Sequence, residues 1–121
     1  MPKILVADDD AVMARLVSAT LPETYEVVNA VDGEEALRKA EKLIPDLIIL
    51  DVNMPGLNGF EVLQRIRSSE RLRHTKVMMV TARDEPGDRA LGMRLGANTY
   101  ITKPFSPMAL LEAVTGLLGG P

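Results

Sequence analysis

The chain alternates between short, wholly apolar runs and longer stretches in which apolar residues return every three or four positions. Lys3 to Ala7 (KILVA) is an apolar run ending in three aspartates, which suits a buried first strand. From Ala11 to Leu21, Val12, Leu16 and Ala19 recur at near-helical spacing, and Pro22 closes the segment. Tyr25 to Ala30 (YEVVNA) is short and β-branched, a second strand. Asp32 followed by Glu35 predicts a capping-box start. The helix it opens carries Ala36, Leu37, Ala40 and Leu43 and ends before Pro45.

The stretch Leu47 to Gly59, LIILDVNMPGLNG, runs four apolar residues into Asp51 and then into a loop containing Pro55, Gly56 and Gly59. It reads as a third strand buried on both faces, with Asp51 where the backbone leaves the sheet. Phe60, Val62, Leu63 and Ile66 then make an apolar helix face up to Ser68. The basic RIRSSERLRHTK that follows has no interleaved aromatics and reads as a solvated loop. Lys76 to Val80 (KVMMV) is a fourth strand ending at Thr81. Gly87 to Leu95 is helical, weakened by about 1 kcal/mol at the interior Gly92. Thr99 to Thr102 is a short fifth strand. Ser106 as N-cap and Pro107 at the first helical position open the last helix, Met108 to Leu118. Met78, Met79 and Met93 read as core, while Met54 lies in the loop after Asp51. Five strand–helix units joined this tightly predict an α/β domain, 1–121, with helices on both faces of a parallel sheet.

Composition narrows the chemistry. A hydrophobic fraction of 46% and a charged fraction of 26% are ordinary for a soluble globular protein. No apolar run is long enough to span a membrane and the N-terminus lacks a signal-peptide pattern, so a cytoplasmic location without membrane contact is expected. There is no cysteine, and His74 is the only histidine, so neither a His/Cys zinc site nor a histidine-based triad can be assembled. The net charge of -3 gives no general attraction to nucleic acid, and no direct binding to it is expected. Gly87 to Gly92 is followed by Met–Arg where a P-loop has Lys–Ser/Thr.

In open parallel sheets, ligands bind beyond the carboxyl ends of the strands. The first strand delivers Asp8, Asp9 and Asp10 there, the third Asp51 and Asn53, the fourth Thr81, and the fifth Lys103 before Pro104. The second offers nothing evident. Gathered carboxylates repel one another unless a cation intervenes, and magnesium suits hard oxygen ligands. A lysine and a hydroxyl facing such a site suit a phosphoryl group. A carboxylate can itself be the nucleophile, so the pattern suggests phosphoryl transfer onto an aspartate. Asp10, just before an apolar helix, reads as an N-cap rather than a ligand.

These residues carry a resemblance. KILVADDD, DVNMPGLNG, the TAR of Thr81 to Arg83 and YITKPF of Tyr100 to Phe105 resemble the receiver domain of bacterial response regulators, in order and spacing, over essentially the whole chain. The resemblance implies a flavodoxin-like (βα)5 sandwich with strand order 2-1-3-4-5. It implies that Asp51 takes a phosphoryl group from a sensor histidine kinase or phosphotransfer protein. Asp9 and Asp51 would bind Mg2+ directly, Asp8 mainly through water, and Asn53 through its backbone carbonyl. Lys103 would pair with the phosphoryl group, and its bond to Pro104 is expected to be cis. Thr81 would turn toward the phosphoryl oxygen and Tyr100 would swing inward, switching the surface around the fourth helix, fifth strand and fifth helix. The implied role is signalling, with self-phosphorylation and autodephosphorylation as the only catalysis. The output is a downstream protein target or a fused output domain. The chain's end after the last helix fits a stand-alone receiver, and Gly119-Gly120-Pro121 fits a cut linker equally well.

Asn53 and Arg83 stand where the family tunes phosphoryl hydrolysis, and Arg83 could reach over the site. Two other readings are a haloacid-dehalogenase-like phosphatase using Asp8, from Asp8-Asp9-Asp10-Ala11-Val12, and a non-phosphorylated protein-binding pseudo-receiver. The first leaves Asp51 and Lys103–Pro104 unexplained; the second leaves the intact acid–threonine–lysine set without a use. YITKPF and Ser106–Pro107 look like the receivers of winged-helix transcription factors, whose charged dimer positions are here Asn98, Thr99, Ala109 and Ala113. Lacking those charges, the chain is expected to be a monomer, or a weak or differently built dimer, even when phosphorylated. Sedimentation in the presence of a phosphoryl mimic checks this, and a tight dimer through the last helix would overturn it.

Overall fold

A computed structural model describes residues 1–82 and 85–119. Strands β1 (Lys3–Ala7), β2 (Glu26–Ala30), β3 (Leu47–Asp51), β4 (Lys76–Ala82) and β5 (Thr99–Lys103) alternate with helices α1 (Ala11–Thr20), α2 (Gly33–Leu43), α3 (Gly59–Ser68), α4 (Pro86–Arg94) and α5 (Pro107–Leu118). All strand pairings are parallel and the order is β2-β1-β3-β4-β5, as the resemblance implies. β4 runs to Ala82 and β5 to Lys103, past the expected ends. Each continues because its neighbour does: Thr81 pairs with Thr102 and Ala82 with Lys103.

The period of two sorts the strand residues onto two cores. Leu5, Ile48, Leu50, Val77 and Met79 pack with Ala36, Ala40, Val62, Leu63 and Ile66, the buried faces of α2 and α3. Ile4, Val6, Leu47, Ile49, Met78, Val80 and Ile101 pack with Val17, Leu110 and Val114, from α1 and α5. β3 is buried along its whole length, as a central strand covered on both sides must be.

Several expectations need correction. In α1 the buried side is Val17, followed by Leu21 beyond its end, while Val12 and Ala19 face solvent. The helix is apolar nearly all round, so spacing alone leaves its rotation open. Met93 is 43% exposed on the outer side of α4 rather than core, and Met54 is buried. Asp32 caps α2 by accepting from the Glu35 amide, but the Glu35 carboxylate accepts from Val31, one residue before the cap. The reciprocal capping box is instead at Asn58 and Glu61 of α3. Gly92 is buried, and a β-carbon there would fall 3.2 Å from Met79 Cγ, so its helix cost accompanies a close approach of α4 to β4.

The basic segment is not simply solvated. Leu72 is fully buried. The Arg67 guanidinium donates to Gly96 O at 2.9 Å, Arg73 O at 3.1 Å, Thr75 O at 2.7 Å and Asn98 Oδ1 at 3.0 Å, and burial lowers its pKa. Asn98 Oδ1 also accepts from the Val77 amide at 2.8 Å, while its own amide donates to Val77 O. Asn98 thus staples β4 to the turn before β5.

Ile44 ends α2 in the left-handed region, with φ 46 and ψ 68. A β-branched side chain there costs about 1–2 kcal/mol. Ile44→Gly is therefore expected to stabilise the fold by about 1 kcal/mol, raising the thermal midpoint by about 4 °C; calorimetry showing a lower midpoint would contradict this.

Candidate functional site

The register brings the candidate residues to one edge. Ala7 pairs with Leu50, so Asp8 and Asp51 leave adjacent strands side by side. By strand alternation Asp8, Asp51 and Lys103 share the parity of the face covered by α1 and α5, whereas Thr81 has the opposite parity. Lys103 Nζ stands 3.3 Å from both Asp8 Oδ2 and Asp51 Oδ2. Asp8 and Asp51 are 6% and 5% exposed, so this ammonium bridges two largely desolvated carboxylates. Asp9 is exposed, yet one oxygen from each of Asp8, Asp9 and Asp51 lies within 4.8 Å of the others.

The backbone fixes these groups. The Asp10 amide donates to Asp8 Oδ1 at 2.8 Å, and Asp10 Oδ1 accepts from Val12 as the N-cap of α1, as expected. The Asn53 amide points at Asp51 Oδ1 over a longer 3.4 Å. Gly59 N–H donates to Val52 O at 2.9 Å and closes the loop behind Asp51. The Lys103–Pro104 bond is cis.

Burial and the Asp8 charge push the Asp51 carboxyl up from its ordinary 3.8 to about 6, against the opposing effect of Lys103. For Lys103, burial pulls downward, but the charges of Asp51 and Asp8 outweigh it and raise the pKa. The site therefore holds more negative charge than its one lysine neutralises. All its donors are hard oxygens, and that chemistry fits a magnesium ion at Asp8, Asp9 and Asp51.

Thr81 is 1% exposed, and its hydroxyl has no hydrogen-bond partner among the described residues. Such a group is rare in a folded interior. It stands one residue past Val80, the partner of Asp51 across the sheet. Tyr100, three residues before Lys103, is 40% exposed and points outward, with the Arg89 guanidinium 5.5 Å from its ring centroid. The contact is between α4 and the edge strand, and no local pattern in the sequence announces Arg89 as its partner. Arg83 lies outside the described residues.

A flavodoxin-like sheet with an acid-rich, lysine-bridged site at its carboxyl edge defines the class, and comparison with known proteins agrees. The family model of the response regulator receiver domain matches residues 4–115, and the chain belongs to that family. The alkaline phosphatase synthesis transcriptional regulatory protein PhoP of Bacillus subtilis is 45% identical over 117 residues, 96% of this chain and 48% of the relative. Response regulator PleD of Caulobacter vibrioides is 42% identical over 116 residues, 95% of this chain and 26% of PleD. The chain thus spans half or less of the length of these curated relatives. Among solved structures, a putative response regulator from Chloroflexus aurantiacus superposes with a TM-score of 0.92 at 34% identity, covering 98% of both chains. The chemotaxis response regulator CheY4 of Vibrio cholerae gives 0.90 at 39%, covering 97% of this chain and 98% of its own. Membership of the receiver family sets aside the phosphatase reading of Asp8. Among the described residues no helix is long and apolar enough to cross a membrane.

Between pH 3.8 and about 6 the folded chain keeps a proton on Asp51 that the unfolded chain has lost. Stability of the metal-free protein therefore falls as pH rises through that window. Asp51→Asn is expected to raise metal-free stability at neutral pH by about 1–2 kcal/mol and to flatten the profile across the window. Urea unfolding at several pH values checks this; a destabilised variant at pH 7 would contradict it.

Proposed function

We propose that residues 1–121 work as a phosphoacceptor receiver of a two-component system, with Asp51 as the acceptor. The observation that carries this reading is the single lysine held 3.3 Å from each of two buried carboxylates, one of which ends the central strand. An Asp51 carboxylate oxygen attacks phosphorus, the phosphorus–nitrogen bond of a phosphohistidine breaks, and an acyl phosphate forms while the imidazole leaves. Asp51 remains mostly ionised at neutral pH even with its pKa at about 6, so the nucleophile is available.

Asp8, Asp9 and Asp51, with the Asn53 backbone carbonyl, would hold Mg2+. When bound, the ion supplies positive charge against the transferring oxygens. Lys103 supplies a second cation, already released from part of its hydration and drawn toward Asp51. The Thr81 hydroxyl, without a partner among the described residues, offers the donor that a new phosphoryl oxygen would need. Its rotation leaves space for Tyr100 to turn inward from the Arg89 contact, which changes the surface formed by α4, β5 and α5. Asn53 stands beside the site, where its side chain would tune hydrolysis of the acyl phosphate, and the same role is proposed for Arg83.

The donor would be a sensor histidine kinase or a phosphotransfer protein in the cytoplasm. The recipient of the signal would be a separate target protein or a fused output domain. Incubation with magnesium and a small phosphodonor, read by intact mass, is expected to add one phosphoryl group that Asp51→Asn loses. No uptake by the wild-type chain would leave a binding module instead; uptake that survives in Asp51→Asn would move the acceptor elsewhere.

A further inference from the structure

β2 and α2 contribute none of the side chains assembled at the site, yet α2 presses on the loop that follows Asp51. The first turn of α2 is held by Asp32, whose Oδ1 accepts from Glu35 N at 2.7 Å, and by Glu35, whose Oε1 accepts from Val31 N at 2.8 Å. Its first residue, Gly33, is buried. A β-carbon on Gly33 would fall 2.4 Å from Leu57 O, 2.8 Å from Leu57 Cβ and 2.9 Å from Val62 Cγ2. Leu57 O belongs to the backbone, so no rotamer change relieves that overlap. Either α2 or the loop has to move.

The other end of the loop is seated as closely. A β-carbon on Gly59 would fall 2.3 Å from the backbone oxygen of Asp51. Met54, between the two ends, is buried in the same cluster as Val52, Ala36 and Val62. Residues 52–58 are therefore fixed at three points: Val52 by Gly59, Met54 by the core and Leu57 by Gly33. Asn53 lies inside that span.

We propose that Gly33 is a positioning residue for the acidic site, because its missing side chain lets α2 seat Leu57 and so sets the Asn53 backbone relative to Asp51. This rests on the reading of Asp8, Asp9, Asp51 and the Asn53 carbonyl as a magnesium site. A residue needed only for packing would change the stability of the metal-free fold and leave the affinity for the ion alone. A residue that positions the loop changes the affinity itself.

Calorimetric titration with magnesium alone separates the two, using the wild-type chain, Gly33→Ala and Gly116→Ala. Gly116 is the control, since a β-carbon there meets nothing within 4 Å. Gly33→Ala, folded by circular dichroism, is expected to bind magnesium about ten-fold more weakly, with Gly116→Ala unchanged. A folded Gly33→Ala within about two-fold of wild type overturns the proposal. If Gly33→Ala does not fold, Asp32→Ala decides, since loss of the cap lets the first turn of α2 lift from Leu57. A weakening of about ten-fold then supports the proposal and an affinity within about two-fold overturns it. A wild-type chain that binds no magnesium sinks the site reading and this proposal together, whereas variants that match a binding wild type sink only the role of Gly33.

Discussion

The ammonium of Lys103 between Asp8 and Asp51 is the interaction on which the rest of this structure depends. Two carboxylates buried side by side would repel by a few kcal/mol at an effective dielectric of about 20. One lysine reduces that repulsion without cancelling it, and the raised Asp51 carboxyl is what remains. The fold therefore holds a charge imbalance at the edge of its sheet and offsets it by burying apolar surface elsewhere. On the proposed reading, a cation, or a phosphoryl group with its cation, would meet a site already arranged for it.

That imbalance can be held because the elements around it are fixed in unequal degree. β3 has neighbours on both sides and helices on both faces, so the Asp51 end of the site is the most fully enclosed. The β4–β5 edge is secured at the far end of the sheet, where Arg67 and Asn98 tie α3, the turn before β4 and the turn before β5 together. At the near end the ties are weaker. Glu85 precedes α4 without capping it through its side chain, and the Thr81 hydroxyl has no partner among the described residues. An edge secured at one end and loose at the other suits a surface that must answer a change in charge nearby.

Much of this was legible in the residue order. Apolar runs placed all five strands, and breakers and caps placed the helices to within a residue or two, because strand burial and helix termini leave local signatures. The acids, threonine and lysine could be assembled because each ends a strand and parallel strands end together. Less legible was anything set by rotation or distance. α1 is apolar on most sides, so which residues it buries depends on where α5 packs. Met93 has a core residue's composition and an outer position. Arg67 lies in a basic run that resembles a solvated loop, and its four acceptors come from segments up to 31 residues away.

LIILDVNMPGLNG by itself determined that a buried strand would end at Asp51 and turn sharply, since hydrophobicity and backbone freedom are properties of the residues themselves. That Asp51 shares a lysine with Asp8, loses its usual acidity, and is backed by a loop seated on Gly33 was decided only by tertiary structure. Those outcomes depend on separations of a few ångströms between chain segments distant in sequence, and charge, burial and steric contact all vary steeply over that range.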